Sequence, residues 1–358
     1  MDVHTLVFNQ ASNDRNSNAE KEWVEEELAN PPWADEGFFE EFAAAFRKMS
    51  PEEKWTLSTG KVVEDELYKF GKKCNHEHPC HSWILDTKDK NYTKEGHFTE
   101  EELEEIHSLT PVTFPDIPVD IDNYMQSLDA TTTADLRIQC AKCPLSEPFN
   151  RDKDFDAEWV LSSVRMMIHE YESGNLRTSH NELWYMLRIW SMVDRLFDNM
   201  PGLETVRGDS ASISTSLRKN EERTSSSVIR MKRKIMGRRG DLLLQKGTAE
   251  YGCAEAGAKF DGPNGSKRMV ESGLKTPKML KDMLNNLAII CQQEEARVVG
   301  LRTVGFILSG LTMEILTMDA PNGYITRLTR SKLYQVPKEV SSVNAILLPL
   351  LSVLISTK

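Results

Sequence analysis

Two acidic residues stand out by their company. Asp241 heads the apolar run Leu242-Leu243-Leu244, and Glu255 lies inside YGCAEAGAK, a stretch made mostly of Gly and Ala. A carboxylate among such small neighbours is costly to bury unless something pairs with it. Alternation along a strand would put Tyr251, Cys253, Glu255, Gly257 and Lys259 on one face, and Glu250, Gly252, Ala254, Ala256 and Ala258 on the other. The second face is small enough for a helix to approach closely. If the preceding strand pairs antiparallel, Asp241 comes beside Glu255. Two acids at a strand edge suit Mg²⁺ or Mn²⁺, which prefer oxygen donors. Such an ion activates water and stabilises the charge of a phosphodiester being cut. A nearby lysine would orient or deprotonate the water. Two structural readings stay open: Asp241 as a strand-end acceptor of backbone N–H groups, and Glu255 as the partner of an arginine.

An Asp at the start of one strand, a Glu on the next, then a helix and another strand resembles the PD-(D/E)XK nuclease superfamily, with its restriction-endonuclease-like fold. The stretches RGDLLL and EYGCAEAG are also similar to a group of proteins from mucoralean fungi. The resemblance covers about residues 156–340. It implies Asp241 and Glu255 as metal ligands, a catalytic lysine, and a further acid on the first core helix. Glu182 matches that last place. The motif calls for Glu-x-Lys, but Gly257 stands at the third position. Lys259 is the substitute on the same face, with Lys267 or Lys278 able to reach in from the following helix region.

The segment 218–239, RKNEERTSSSVIRMKRKIMGRR, carries nine Lys/Arg against two Glu. Beside a metal site, Arg230, Lys232, Arg233, Lys234, Arg238 and Arg239 would neutralise a nucleic-acid backbone. No aromatics are interleaved, so base stacking has no support. CNHEHPCH (74–81) and the Cys140-x-x-Cys143 pair offer Cys74, Cys80, Cys140 and Cys143 as a zinc set, with unusual spacing; scattered free thiols are the preferred reading. Trp159, Trp184, Tyr185 and Trp190 have core spacing on helices. Walker, dinucleotide and GxSxG signatures are absent, which argues against those chemistries.

The elements that must position these residues fall into two parts. The 358 residues carry a net charge of −11, unevenly spread. Residues 1–120 hold 27 acids and 12 bases, whereas 207–302 hold 19 bases and 11 acids. A disordered tail is expected over 1–18. Helices are expected at 19–29, 36–48 and 98–109 and over KVVEDELYKFGKK, ending near Gly71, with a helix start at Ser50-Pro51 and a short strand in HSWILD. Three prolines make 110–120 irregular, 128–155 reads as irregular too, and a domain boundary falls near 150. Beyond it come helices 156–172 and 180–199, a Ser-rich charged stretch 208–227, strands 241–245 and 250–259, and a helix 276–298. Two strands then flank a turn at Ala320–Gly323, and a last helix covers 338–356.

The expected fold is therefore mixed α/β: a helical, acidic region over 19–150, then a restriction-endonuclease-like domain over 151–358 with a mixed central sheet flanked by helices. No signal peptide is read at the start, and no apolar run reaches the roughly 18 residues that span a bilayer. An intracellular protein of nucleus or cytoplasm is expected, with nucleic acid as partner, DNA favoured, and no membrane. Three functions remain in play. The first is a Mg²⁺- or Mn²⁺-dependent nuclease, active or degenerate. The second is an inactive nuclease-like module that binds nucleic acid or a protein. The third is a scaffold whose acidic half docks a protein partner or masks its own basic segment.

Overall fold

The computed structural model describes residues 37–110, 114–221, 233–260, 262 and 271–358. The expected tail at 1–18 and helix at 19–29 lie outside them. One mixed sheet organises the described residues. Its strands are β1 (Ile84–Asp86), β2 (Glu204–Ala211), β3 (Arg239–Lys246), β4 (Ala249–Gly257), β5 (Thr303–Ser309), β6 (Thr312–Asn322), β7 (Ile325–Arg330) and β8 (Tyr334–Gln335). The order is β1-β7-β6-β5-β4-β3-β2, and β8 also pairs with β6. β4 and β5 run parallel, as do β1 and β7; the other neighbours are antiparallel.

Helices cover both faces. Before the sheet core come α1 (Phe38–Lys48), α2 (Val63–Gly71), α3 (Glu100–Ser108), α4 (Val119–Ser127), α5 (Thr133–Cys140), α6 (Arg151–Ser173), α7 (Glu182–Arg188) and α8 (Ser191–Leu196). α9 (Ile213–Lys219) follows β2, α10 (Thr276–Ile290) links β4 to β5, and α11 (Leu348–Thr357) closes the chain. Leu243, Cys253, Ile307, Leu316 and Met318 of the sheet share one buried cluster with Met279, Leu280, Met283 and Leu284 of α10. Leu242, Leu244, Ala254, Ala256, Phe306 and Ile315, on the other face, join Trp159, Val160 and Val164 of α6 and the leucines of α11.

The small residues of β4 and β5 allow this close stacking. A Cβ on Gly305 would lie 2.9 Å from the Thr276 side chain of α10. A Cβ on Gly252 would press into the carbonyl oxygen of Val304, which is backbone and cannot swing aside. Gly252→Ala is therefore expected to cost about 1–3 kcal/mol, read as a lower urea midpoint at unchanged slope.

The first part of the chain is not separate from the sheet. β1 supplies an edge strand, with Leu85 beside Arg327 of β7. Phe42, Val63, Leu67, Phe70, Tyr92, Phe98, Leu103 and Ile106 form a core that includes Ile325 of β7. α3 starts on a capping box between Thr99 and Glu102, as FTEEELEEIHSL suggests.

Several expected elements differ. α5 occupies part of 128–155, started by the Thr132 hydroxyl accepting from Asp135 N. The 180–199 helix breaks into α7 and α8, where Trp190 donates its indole N–H to Gly310 O. The run at 304–319 is a hairpin of β5 and β6 about Gly310, whose φ is 58°. The helix at 276–298 stops at Ile290, because Gln292 and Gln293 turn to φ 60° and 55°. β2 ends within the Ser-rich charged stretch 208–227, for which the sequence predicts no strand; its polar residues suit an edge strand. The helical run Val340–Thr357 reaches 18 residues and is apolar enough by length and composition to cross a membrane, contrary to the reading that no run does. Its Leu347, Leu350, Leu351 and Leu354 are buried in the core.

Candidate functional site

Asp241 and Glu255 meet where β3 starts and β4 ends. Leu242 faces Ala254 across the antiparallel ladder, so one step further Asp241 faces Glu255. Residues directly opposite share a face of the sheet, with Cβ atoms about 4.5–5.5 Å apart. Asp241 is held by the backbone: its Oδ2 accepts from Ala256 N at 2.7 Å. Glu255 is buried, at 2% exposure, on the α10 face beside Cys253. Its Oε2 lies 2.6 Å from the Nζ of Lys275. Both structural readings thus hold in part, with an ammonium where an arginine was considered.

Lys275 ends a π-helical turn, Glu271–Lys275, that leads into α10. Such turns widen the helix locally and recur at functional sites. This one sets the ammonium over the carboxyl end of β4. Crevices at the carboxyl ends of strands are where open α/β sheets bind ligands.

The same face carries more charge towards β1. Glu255 pairs with Ile307 of β5, and Ile307 with Glu314 of β6, so the two glutamates stand two strands apart, about 10 Å. Arg330 of β7 lies 3.6 Å from Glu314 Oε2. Its Nε donates to Asp86 Oδ2 at 2.5 Å, and its other nitrogens donate to Ser272 Oγ at 2.7 Å and Ser272 O at 3.0 Å. Burial opposes this charge, but Asp86 and Glu314 outweigh it and raise the Arg330 pKa. Arg330 therefore fastens the π-helical turn that bears Lys275 to the sheet. Behind Glu255, burial pushes the Cys253 thiol well up, so it stays a protonated packing group.

The remaining expected residues are placed as follows. Lys259 lies beyond the end of β4 and is exposed, so the strand face does not carry it to Glu255. Lys278 is buried against Glu77 of the first part of the chain. Lys267 lies outside the described residues. Glu182 opens α7, half-buried, in the layer whose Tyr185 joins the core on the opposite face from Glu255. Arg230 and Lys232 lie outside the described residues, whereas Arg233 and Lys234 are exposed. Arg238 is a correction: it is 5% exposed, with its guanidinium on Asp282 at 3.3 Å, and offers no surface to a phosphate. Arg239 is exposed and paired with Asp209 at 2.7 Å.

Strand alternation predicts Glu250 on the face of Ala254. The ladder slips between Leu244 and Gln245, opposite Tyr251, and changes that register. Glu250 is fully buried and accepts from Ser212 Oγ, Ile213 N and Ser214 N, each at 2.8 Å. It caps α9, which packs on α10.

The four-cysteine zinc set is not assembled. Cys74 and Cys80 belong to the core of the first part, while Cys140 and Cys143 belong to the α6 side of the sheet. Trp159, Tyr185 and Trp190 are buried as expected, and Trp184 stacks on His180 at 3.7 Å.

Sequence reading missed Lys275, Glu314, Arg330, Asp86 and Ser272. Glu314 had a usable signal, the same as that of Glu255: a lone acid within an apolar strand, here TMEIL. Lys275 had none, because nothing local ties it to a strand twenty residues earlier. Comparison with family models, with curated proteins and with solved structures gives no match.

Proposed function

We propose that the chain is a metal-dependent nuclease that hydrolyses phosphodiester bonds, with DNA the favoured substrate. The observation that carries this reading is the meeting of Asp241, Glu255 and Lys275 at one strand end, with Glu255 and Lys275 2.6 Å apart. The order of elements supports it: a strand with the Asp near its start, a strand ending near the Glu, a helix, and a strand parallel to the second. That is the order implied by the resemblance to PD-(D/E)XK nucleases. Lys275 then takes the part of the lysine that Gly257 vacates in the motif.

The donor set fits a hard cation. Asp241 and Glu255 would hold Mg²⁺ or Mn²⁺, which commonly takes one or two carboxylates and completes its shell with water and substrate phosphate oxygens. When bound, the ion supplies Lewis-acid stabilisation and a water of lowered pKa. Asp241 is pre-oriented by Ala256 N, so its free oxygen keeps a fixed direction. Lys275 would neutralise the charge that builds on the phosphate, in a site where burial strengthens the interaction. Arg330 would not touch substrate; it holds the turn that carries Lys275.

The direct test incubates purified protein with supercoiled plasmid and Mg²⁺ or Mn²⁺, with a chelator control. Metal-dependent nicking is the expected result. No cleavage with either ion, at any protein concentration that binds the plasmid, rejects it. The ion pair between Glu255 and Lys275 favours a second reading, in which the ammonium occupies the metal's place and the module binds without cutting. Under either reading Arg233 and Lys234 are phosphate contacts. Each substitution by Ala should weaken binding across sequences and reduce the salt slope by about 1, measured by fluorescence anisotropy over a salt series.

A further inference from the structure

A second group of ligating side chains lies away from the sheet face, in the strap that joins α2 to β1. Among the described residues, Cys74, Cys80 and His81 are the set whose three ligand atoms all lie within 4.8 Å of one another. A tetrahedral zinc with bonds of about 2.0–2.3 Å sets its ligand atoms about 3.3–3.8 Å apart. Closing the group on an ion thus needs shifts on the order of 1 Å.

The local chain is shaped for this. Pro79–Ser82 is a single 3₁₀ turn that brings Cys80 and His81 together near Cys74, which follows the end of α2. A Cβ added at Gly71 would collide with Phe42 and come within 3.2 Å of Cys80 Sγ, so glycine keeps room beside the sulfur. His81 Nε2 donates to Gly71 O at 2.9 Å. A ligating histidine is normally fixed in this way, with its second nitrogen bonded to a carbonyl. Nδ1 then carries the lone pair and now accepts from His78 N at 2.9 Å, a bond that a metal would replace.

We infer that Cys74, Cys80 and His81 form a zinc site that fixes this strap against α10. Three protein ligands leave the fourth position to water or to another side chain of the strap. The site is distinct in chemistry from the carboxylate pair at the sheet, which suits oxygen-loving ions. Its consequence is structural. The strap carries Glu77, which pairs with Lys278, and Ser82, whose carbonyl oxygen accepts from Lys281 Nζ at 2.5 Å. Both lysines belong to α10, the helix that follows the Lys275 turn. A zinc here would staple the first part of the chain onto the helix behind the candidate active site.

The test uses the full chain, purified under reducing conditions, with zinc measured by plasma mass spectrometry. About one zinc per chain is expected, falling to background in Cys74→Ser and unchanged in Cys140→Ser. Cys74 is only half-buried, so its variant keeps the test usable if Cys80→Ala does not fold. Cobalt exchanged into the unaltered chain should give thiolate-to-metal charge-transfer absorption, a band that carboxylate ligands do not produce. A reduced chain that takes up neither zinc nor cobalt overturns the inference, as does metal content unaffected by Cys74→Ser. Discovery of a Cys74–Cys80 disulfide in a chain that binds no metal after reduction would do the same. None of these readouts depends on plasmid cleavage.

Discussion

Asp241→Asn is expected to lower metal-dependent plasmid cleavage by more than about 100-fold, with little change in thermal midpoint. The substitution keeps the shape and one carbonyl-type oxygen to accept from Ala256 N. It removes the charge that would bind the cation. Lys275→Ala should cost about 10²–10³-fold, because a preorganised cation at the reacting phosphate is lost. The sharper comparison is with Lys259→Ala. Lys259 is exposed past the end of β4, and its removal should leave cleavage within about twofold of the parent, a surface-level effect. The sequence motif alone would rank the two lysines the other way. Rates from a supercoiled-to-nicked assay, with circular dichroism as a folding control, decide between them. Loss of activity in Lys259→Ala with retention in Lys275→Ala would return the motif role to the strand and leave Lys275 as a packing ion pair. Cleavage that survives in Asp241→Asn would remove the carboxylate pair from the chemistry altogether.

The two acids were legible because each breaks a local rule. Asp241 precedes an unbroken apolar triplet, and Glu255 sits where every neighbour is small. A charge kept in such a strand must be paired or functional. The hairpin that brings them together was also legible, since Lys246-Gly247 separates two strand-like runs, and Gly247 indeed has φ 62°. What was hidden is non-local. The slip opposite Tyr251 turns Glu250 from the expected face into the cap of α9, and a single-residue shift leaves no mark in the hydrophobic pattern. The pairing of β1 with β7 joins residues 84–86 to 326–328. HSWILD could be read as a strand, but not as an edge of a sheet whose other members come much later. Hence the boundary placed near 150 divides the chain by composition, while the hydrogen bonds of β1 cross it. The broken helix at Ile189-Trp190 has the same cause: the Trp190 indole reaches Gly310, and that tertiary bond overrides an otherwise continuous helical pattern.

That crossing of the composition boundary is held at one point by a single buried cation, and its loss should be the largest stability change in the molecule. Arg327 of β7 is fully buried, at 0% exposure. Its guanidinium donates to both oxygens of Asp319, at 3.0 and 2.5 Å. It also donates to the carbonyl oxygens of Ile106, His107, Leu109 and Thr110, where α3 ends. Thr110 adopts φ 45°, an unfavourable value for a β-branched residue, and its carbonyl oxygen bonds the guanidinium. Arg327→Met keeps the length and removes every donor. Asp319, itself 1% exposed, then keeps, among the described residues, only Arg302 at 3.6 Å as a guanidinium partner. Removing one member of a buried pair typically costs about 3–5 kcal/mol. Several carbonyls of the α3 terminus lose their donor in the same step, so the upper end of that range is expected for urea unfolding. Asp319→Leu added to Arg327→Met should restore only part of the loss. The pair can be replaced by apolar contact, but the α3 carbonyls cannot. A single variant within about 1 kcal/mol of the parent, the range of exposed pairs, would mean that this arginine is solvated in solution and does not tie α3 to the sheet.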